Sequence, residues 1–216
     1  MYGKNPIAFL CQTGEHTLFA MVTFSQTPSL AAPNRALMFT RTFFRRPAMI
    51  GAIVPSSRYL VRLVMSEIDW ASARIIVEYG PGVGAFTKEV LARMRPDATL
   101  IAFETHAEFV EGLRADLTDP RLQVVHGSAE EIIPVLSRLD VTADFIVSGI
   151  PFSTMPQASR RAILTATHRS LAPGGRFVTY QYRRSLLPHL RSVFSKIRCR
   201  FEPRNVPPAQ VFICGR

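Results

Sequence analysis

Apolar residues recur along this chain at two spacings, which predict alternating strands and helices. Ile75-Ile76-Val77 is a β-branched run typical of a strand buried on both faces of a parallel sheet. From Phe86 onward, apolar residues recur at helical spacing with charged residues between them, which predicts a helix. Three later runs repeat the strand pattern: Thr99–Phe103, Leu122–Val125 and Asp144–Val147. Two segments repeat the helical pattern: residues 107–117 and 158–171.

The C-terminal part of the chain is predicted to differ. Pro173-Gly174-Gly175 predicts a turn into a strand over Arg176–Tyr182. Residues 183–198 mix leucines with basic residues and predict a helix that Pro188 breaks or kinks. A closing hairpin is predicted over Arg198–Phe201 and Ala209–Cys214. The fold class expected from these elements is α/β: a doubly wound domain with a mixed, mostly parallel sheet and helices on both faces.

The glycine-rich stretch after the first strand is the strongest candidate for a ligand site. Gly80-Pro81-Gly82-Val83-Gly84 has glycines at alternate positions, where the backbone can turn sharply and approach a bulky group. Strand, glycine loop and helix in this order form a nucleotide-type cofactor site at the carboxyl end of a sheet. The relaxed dinucleotide fingerprint G-x-G-x-x-A is also met, so a nicotinamide or flavin site and a plain glycine turn remain open.

Glu78 helps to distinguish between these cofactors. It lies at the strand end, two residues before the first glycine, where a carboxylate would repel a pyrophosphate bound at the helix start. A ligand that carries a cation suits this position better. The pattern E-x-G-x-G-x-G resembles motif I of class I methyltransferases, whose S-adenosylmethionine carries a sulfonium and an ammonium but no phosphate.

Other positions at strand ends and helix starts complete a candidate nucleoside site. Ser56 and Ser57 precede a helix, where they can cap it or contact a cofactor carboxylate. Glu104 ends the second strand about 20 residues after the glycine loop, the spacing of an acid that accepts both ribose hydroxyls. Gly127-Ser128-Ala129 is where the adenine would lie, and Ser148 begins the loop that would face the methyl group. The predicted cofactor-binding residues are Ser56, Ser57, Glu78, Gly80, Pro81, Gly82, Gly84, Glu104, Gly127, Ser128, Ala129 and Ser148.

Charge is divided unevenly along the chain. Of the net charge of +10, residues 16–66 contribute +6, residues 67–175 contribute −4 and residues 176–216 contribute +8. Basic flanks attract polyanions, either an anionic membrane surface or nucleic acid, and solubility is the simpler explanation. On a helical projection, residues 35–46 separate large apolar rings from arginines. That pattern is typical of a helix lying in a lipid headgroup layer, or of a first helix packed on its own domain.

Three regions are predicted: an N-terminal extension over residues 1–34, a basic amphipathic helical segment over residues 35–70, and the catalytic domain over residues 71–216. No apolar run reaches the roughly 18 residues that a membrane span needs, and no signal-peptide pattern is present, so a cytoplasmic protein is expected. The three cysteines show no metal-ligand spacing, and no metal is predicted.

Four segments together resemble the bacterial phospholipid N-methyltransferases, which convert phosphatidylethanolamine to phosphatidylcholine and are related to ribosomal RNA adenine dimethylases. They are Gly51–Leu60, Glu78–Thr87, Ser148–Pro156 and Asn205–Val211. The resemblance implies a Rossmann-like class I methyltransferase fold with a seven-stranded sheet and S-adenosylmethionine as methyl donor. It also implies a phospholipid amine as acceptor, at the inner face of the membrane. Ser128 stands where the family usually has aspartate, and Arg183 where it usually has glycine.

Methyl transfer from a sulfonium is an in-line displacement, for which the protein mainly supplies alignment and a water-poor pocket. The acceptor amine must first lose a proton, so a base or a water path is needed. Tyr182 and Tyr180 are the candidates for holding the amine and, by cation–π contact, the growing quaternary ammonium. Ser148 is the third candidate for a catalytic role.

Other functions remain open on sequence grounds. A ribosomal RNA adenine dimethylase would also be basic. Enzymes that methylate adenine N6 place Asn or Asp where this chain has Ser148, however, and no helical RNA-binding domain is expected after the last strand. Methylation of a small soluble amine is a further possibility. A lipid-binding module without enzymatic activity on a methyltransferase fold is another. No oligomeric state is predicted.

Overall fold

The computed structural model describes residues 56–216, in which strands and helices alternate. The strands are β1 (Ile75–Tyr79), β2 (Thr99–Glu104), β3 (Leu122–His126), β4 (Ala143–Ser148), β5 (Leu171–Gln181), β6 (Lys196–Glu202) and β7 (Ala209–Gly215). The helices are α1 (Arg58–Met65), α2 (Ala85–Arg93), α3 (Ala107–Asp116), α4 (Ile132–Arg138), α5 (Gln157–Ser170) and α6 (Leu187–Arg191). The predicted extension over residues 1–34 and the amphipathic segment 35–46 lie outside the described residues. Over residues 56–216, no helix is both long and apolar enough to cross a bilayer.

The seven strands form one sheet in the order β3-β2-β1-β4-β5-β7-β6. The first five strands in that order are parallel, and β7 runs antiparallel to both β5 and β6. The predicted fold class, a doubly wound domain with a mixed and mostly parallel sheet, is therefore confirmed. Chain order reverses between β1 and β4, and the crevice at their carboxyl ends is where open α/β sheets bind ligands.

Side chains of the strands alternate between two apolar layers, one on each face of the sheet. On one face, α1 and α2 pack against Ile76, Val147 and Val178. On the other face, α4, α5 and α6 pack against Val77 and Phe177. Because β1 and β4 are buried on both faces, they read as continuous apolar runs. Their carboxyl ends are held by packing from both sides, which positions the loops that follow.

The turn expected at Pro173-Gly174-Gly175 lies inside β5 instead of before it. This strand begins at Leu171, and its pairing with β4 is interrupted between Leu171 and Arg176. Gly174 has a φ of +80°, a conformation that glycine adopts at little cost. The predicted turn residues therefore form an irregularity within the strand.

The prediction of one helix over residues 183–198 is wrong. The structure has a single 3₁₀ turn followed by the short α6, and β6 already begins at Lys196. Pro188 stands in the first turn of α6, where its missing N–H removes no helical hydrogen bond. Pro188 therefore starts a helix instead of breaking one. The predicted closing hairpin is confirmed as β6 and β7.

Asn205 ties the first helix to the last hairpin. This buried side chain accepts a hydrogen bond from the Ser57 N–H at Oδ1 (2.9 Å) and donates one from Nδ2 to the Pro207 carbonyl (2.7 Å). Ser57 caps α1 as predicted, because its Oγ accepts from the Leu60 N–H (3.2 Å). The Asn-x-Pro-Pro-Ala segment therefore positions Ser57 at the start of α1.

Asn205→Ala is expected to lower the free energy of unfolding by about 1–3 kcal/mol, because it leaves the part-buried Ser57 N–H without its acceptor. Urea unfolding followed by circular dichroism measures the loss. Ser66→Ala, which removes an exposed hydroxyl bonded to the Leu63 carbonyl, is the matched control and is expected to cost less. Equal losses for the two variants would contradict the anchoring role of Asn205.

Candidate active site

The glycine loop between β1 and α2 adopts backbone conformations that other residues avoid. Gly80, Gly82 and Gly84 have φ values of +68°, +54° and +79°. A Cβ on Gly80 would lie 2.7 Å from Ile150 Cγ2, so this glycine also allows close packing against the loop after β4. A Cβ on Gly82 would meet no atom within 4 Å. The loop is therefore a cradle with open space at its middle.

Glu104, at the end of β2, braces this loop. Its carboxylate accepts hydrogen bonds from the Gly82 N–H at Oε2 (3.1 Å) and from the His106 N–H at Oε1 (2.9 Å), and it is only 5% exposed. The Gly127 N–H donates to the Glu104 carbonyl (2.9 Å), which brings the loop after β3 to the same place. The predicted ribose acid thus lies between the two loops that would contact a nucleoside.

Glu78, which precedes the glycine loop, is almost fully buried. The Thr87 hydroxyl donates a hydrogen bond to its Oε2 (2.8 Å). Burial raises the pKa of Glu78 to about 7; the Thr87 hydrogen bond lowers this pKa, and the nearby charge of Glu104 raises it. A buried carboxyl that titrates near neutrality suits a cationic ligand, because an approaching positive charge favours the ionised form.

The loop after β4 and the end of β5 meet the glycine loop. A Cβ on Gly149 would lie 2.9 Å from Tyr180 Oη and 3.3 Å from the Gly80 carbonyl oxygen. Ser56 Oγ donates to Tyr180 Oη (3.0 Å), and the Tyr180 ring stacks on Phe86 with ring centres 5.4 Å apart. The structure therefore brings together three of the predicted site residues: Ser56, Gly80 and Tyr180.

A cavity of about 110 Å³ opens at the carboxyl ends of β4 and β5. Its lining consists of Gly149, Pro151, Ser153, Thr154, Tyr180, Gln181, Tyr182 and Arg183. Gln181 holds the two elements together, since its Nε2 donates to the Ile150 carbonyl (3.0 Å) and to the Tyr180 carbonyl (2.7 Å). Two tyrosines and an arginine therefore share a small cavity beside the glycine loop.

Both tyrosines of the cavity keep their protons at neutral pH. Burial raises the pKa of Tyr180 to about 12, although the hydrogen bond with Ser56 lowers it. Burial also raises the pKa of Tyr182. The two phenols can donate or accept hydrogen bonds, but they are not bases in the resting enzyme.

Ser128, the predicted adenine contact, is engaged within its own loop. Its N–H donates to Glu131 Oε1 (2.8 Å), and its Oγ accepts from the Glu130 N–H (3.2 Å), which makes a capping box. A ligand that accepts from the Ser128 N–H would have to displace the Glu131 carboxylate. The neighbouring Ala129 is buried, as is Pro81 of the glycine loop. Adenine binding by Ser128 stays a prediction.

Ser148, the third catalytic candidate, is fully buried at the end of β4. It is in register with Tyr79 of β1 and Thr179 of β5, and its Oγ has no hydrogen-bond partner within the described chain. The next residue, Gly149, is the one that lines the cavity. A catalytic role for the Ser148 hydroxyl stays a prediction.

Sequence reasoning missed two contacts of the site. Thr87 carries the hydrogen bond to Glu78, and Gln181 ties β5 to the loop after β4. Thr87 lies in the first turn of α2, where helical spacing could have suggested a polar group facing the strand end. Gln181 gave a weaker indication, an amide at the carboxyl end of a mixed strand.

The arrangement fits S-adenosylmethionine better than a dinucleotide. The cradle leaves space at Gly82, Glu104 offers carboxylate oxygens for ribose hydroxyls, and the buried Glu78 favours a cation. Glu78 makes the difference, because a carboxylate at this strand end would repel a pyrophosphate bound at the helix start. Glu104 suits the ribose of either cofactor.

Comparison with known proteins points to the same chemistry. Residues 76–175 match the family model of a methyltransferase domain. The chain is 32% identical to the ornithine lipid N-methyltransferase of Singulisphaera acidiphila, over 82% of this chain and 94% of that protein. It is 27% identical to the ribosomal RNA small subunit methyltransferase A of Mycoplasma mycoides, over 43% of this chain and 35% of that protein. The solved structure of the N-methyltransferase NodS from Bradyrhizobium japonicum with S-adenosyl-L-homocysteine has a TM-score of 0.56 at 12% identity, covering 72% of this chain and 83% of that one.

These similarities differ in what they establish. The structural neighbour shows the fold alone, and the ribosomal RNA relative shares less than half of this chain. The ornithine lipid relative shares nearly its whole length. The predicted methyltransferase activity, the predicted cofactor S-adenosylmethionine and the resemblance to bacterial lipid N-methyltransferases are confirmed. This chain belongs to the family of S-adenosylmethionine-dependent methyltransferases that includes ornithine lipid N-methyltransferase.

Proposed function

We propose that this enzyme methylates the primary amine of a membrane-lipid headgroup, converting phosphatidylethanolamine towards phosphatidylcholine. The observation that carries the proposal is the cavity beside the glycine loop, which is lined by Tyr180, Tyr182 and the exposed Arg183. A zwitterionic headgroup has an ammonium group for the tyrosines and an anionic group for the arginine. The acceptor nitrogen and the methyl donor would then meet across Gly80 and Gly149.

S-adenosylmethionine, when bound, supplies a methyl group on a sulfonium whose displacement needs no acid. The residues of this chain hold the acceptor nitrogen in line and limit the access of water. A Cβ on Gly149 would lie 3.3 Å from the Gly80 carbonyl oxygen, so the glycine loop and the loop that lines the cavity lie close together. Tyr180 is held in place by Ser56 and by the stacked ring of Phe86.

The acceptor amine must lose a proton before it attacks the methyl group. Among the described residues that line the cavity, none is a base at neutral pH: the phenols keep their protons, and the other polar groups are hydroxyls, an amide and a guanidinium. We therefore assign the departing proton to water. Tyr180 and Tyr182 accept hydrogen bonds from the remaining N–H groups, and their rings stabilise the cationic product.

An anionic membrane surface is the partner that we propose, with peripheral attachment at the inner face of the membrane. Charge supports this proposal, since residues 16–66 and 176–216 contribute +6 and +8. Residues 35–46, the predicted amphipathic helix, would add apolar contact at the acyl boundary. Nucleic acid is the alternative partner for such a basic protein.

Ornithine lipid is a second candidate acceptor, favoured by one comparison. The relative with 32% identity is an ornithine lipid N-methyltransferase, and the side chain of ornithine also ends in a primary amine. The two lipids differ in the anionic group of the head, which is a phosphate in phosphatidylethanolamine and a carboxylate in ornithine lipid. Arg183 can pair with either group.

Radiolabelled methyl transfer with the full chain tests the proposal. A thermal shift with S-adenosylhomocysteine first establishes that the cofactor site is intact. Labelled S-adenosylmethionine is then supplied with vesicles containing phosphatidylethanolamine, with vesicles containing ornithine lipid, with small-subunit ribosomal RNA and with small amines. Label in phosphatidylethanolamine supports the proposal, and label in ornithine lipid alone selects the second acceptor. Label in RNA or in a small amine, without label in lipid, refutes both.

Tyr182→Phe is expected to lower the rate of lipid methylation about tenfold while S-adenosylhomocysteine affinity stays unchanged, because one hydrogen bond to the amine is lost. Tyr182→Leu is expected to lower it further, since the ring that stabilises the product cation is also removed. Steady-state rates with vesicles measure both effects, and mass spectrometry separates products with one, two and three methyl groups. Unchanged turnover of Tyr182→Phe would rule out a role for the hydroxyl.

A further inference from the structure

Within residues 56–216, four large apolar side chains are exposed. Three of them lie at the end of the sheet where the parallel strands finish, which is also the end that carries the candidate active site. Val83 (57% exposed) is in the glycine loop, Phe201 (53%) is near the end of β6, and Val206 (74%) is in the turn between β6 and β7. Leu139 (42%) follows α4 and lies at the opposite edge, where β4 begins. Exposed apolar surface is therefore concentrated around the site.

The end of the β6–β7 hairpin lies beside the end of β5. Gln210 of β7 is in register with Gln181 of β5 on one side and with Phe201 of β6 on the other. Arg184 is exposed just past β5 and donates from Nε to Gln210 Oε1 (3.1 Å). Arg184 and Phe201 therefore flank the same residue, one strand away from Gln181 of the cavity.

Two more arginines gather where the hairpin meets the start of α1. The Arg204 guanidinium lies over the Tyr59 ring at 4.1 Å, and Arg58 lies over the same ring at 4.9 Å while donating to Tyr59 Oη (2.9 Å). Glu202 is buried and pairs with Arg204 (2.9 Å), so it offsets the charge of one arginine. The hairpin edge is defined here as Arg58, Arg184, Phe201, Arg204 and Val206.

We propose that the hairpin edge is a docking surface for an anionic phospholipid bilayer. Phe201 and Val206 enter the boundary between headgroups and acyl chains, and the arginines contact lipid phosphates. Exposed apolar side chains and guanidinium groups at one end of a sheet are a combination that suits that boundary. The inference rests on the proposed function and specifies which face of the enzyme meets the lipid. It uses Arg58 and residues of the C-terminal region, and it is independent of residues 35–46.

On the far side of the active site from the hairpin edge, the surface is acidic. Glu108, Glu130 and Glu131 are exposed there, around the loops after β2 and β3. A negative membrane surface repels these carboxylates and attracts the hairpin edge. The enzyme therefore lies on the membrane with the side of its sheet formed by β5, β7 and β6 nearest the lipid. This orientation turns the cavity, with Tyr182 and Arg183, towards the lipid and leaves the cofactor loops towards water.

Nucleic acid suits the hairpin edge less well. Single strands bind basic grooves in which aromatic rings stack on successive bases. Val206, the most exposed of the four apolar side chains, contributes neither charge nor stacking. A bilayer makes use of both the apolar and the basic residues of the edge.

A tryptophan at position 206 reports whether the edge enters a bilayer. The full chain has one tryptophan, Trp70, which is first replaced by phenylalanine. Val206→Trp in that background is mixed with vesicles of phosphatidylethanolamine and phosphatidylglycerol that carry brominated acyl chains. We expect its fluorescence to shift to the blue and to be quenched. Leu139→Trp, at the opposite edge, is the matched control and is expected to stay unquenched.

Quenching at position 206 without quenching at position 139 supports the docking surface. An unquenched tryptophan at position 206 in protein that sediments with the vesicles overturns it, as does equal quenching at both positions. A response to small-subunit ribosomal RNA but not to vesicles also overturns it. Lipid methylation is measured in the same samples: label in lipid with an unquenched position 206 refutes the docking surface alone, and label absent from every lipid refutes the proposed function.

Neutralising single arginines gives a second measurement that needs no new tryptophan. Arg58→Gln and Arg184→Gln are each expected to weaken vesicle binding about fivefold at low salt. Arg138→Gln, at the end of α4, is the matched control and is expected to leave vesicle binding unchanged. Equal weakening by all three variants would overturn the inference, because general charge would then explain the attraction.

Discussion

Glu104→Gln is expected to weaken the binding of S-adenosyl-L-homocysteine about 100-fold, as measured by isothermal titration calorimetry. The carboxylate accepts from the Gly82 N–H (3.1 Å) and the His106 N–H (2.9 Å), and its oxygens have further lone pairs for ribose hydroxyls. A glutamine has one oxygen and one NH₂ group, and that NH₂ group would face an N–H donor. The variant therefore loses the ribose contact and the brace of the glycine loop together.

Glu108→Gln is the matched control for this prediction. It removes an exposed carboxylate in the first turn of α3 and is expected to change the affinity by a factor of about two at most. Wild-type affinity of Glu104→Gln would contradict the assignment of this acid to the ribose. A variant that binds normally but unfolds more easily would limit Glu104 to bracing the loop.

Glu78→Gln is expected to raise the free energy of unfolding of the cofactor-free protein by up to about 3 kcal/mol above pH 7. Burial raises the pKa of Glu78 from 4.5 to about 7 in the folded protein. When the pH lies between these two pKa values, Glu78 keeps its proton in the folded protein but has lost it in the unfolded chain. The stabilisation from this proton is complete below a pH of about 4.5 and is lost as pH rises to about 7. Urea unfolding across a pH series should show equal free energies of unfolding for variant and wild type at low pH, a difference that grows between about pH 4.5 and 7, and a constant difference above pH 7.

The same carboxyl group should link cofactor binding to pH. A bound cation favours ionised Glu78, so S-adenosylmethionine binding is expected to release a proton and to strengthen as pH rises through about 7. Calorimetry in two buffers with different ionisation enthalpies counts this proton, and Glu78→Gln should remove both effects. Binding by the wild type without proton release would contradict the placement of Glu78 beside the cation.

The cofactor half of the site was predictable because its geometry is local. Glu78 and the three glycines come from one continuous strand–loop segment. Glu104 ends the neighbouring strand, and β1 and β2 are parallel and in register. Parallel strands bring their carboxyl ends to one edge of the sheet, so periodicity and spacing are enough to place these two acids together.

The C-terminal region was harder to predict because helical spacing competes there with strand pairing. Val193, Phe194 and Ile197 recur at helical spacing, yet Ile197 belongs to β6 and is in register with Cys214 of β7. Strand pairing with β7, together with burial of Phe194, outweighs the local helical preference. The amino-acid sequence around Val193–Ile197 indicates neither the pairing with β7 nor the burial of Phe194.

Short-range spacing was sufficient for the doubly wound sheet, the glycine cradle and its two acids, because each depends on residues within one or two adjacent elements. The cavity beside the glycine loop was decided only by packing between distant parts of residues 56–216. Ser56 meets Tyr180 across 124 positions, and Asn205 meets Ser57 across 148. The antiparallel return of β7 and β6 places Phe201 and Val206 at the same end of the sheet as the cavity. Contacts at such separations leave no periodic trace in the amino-acid order, since they depend on how the sheet and its helices pack together.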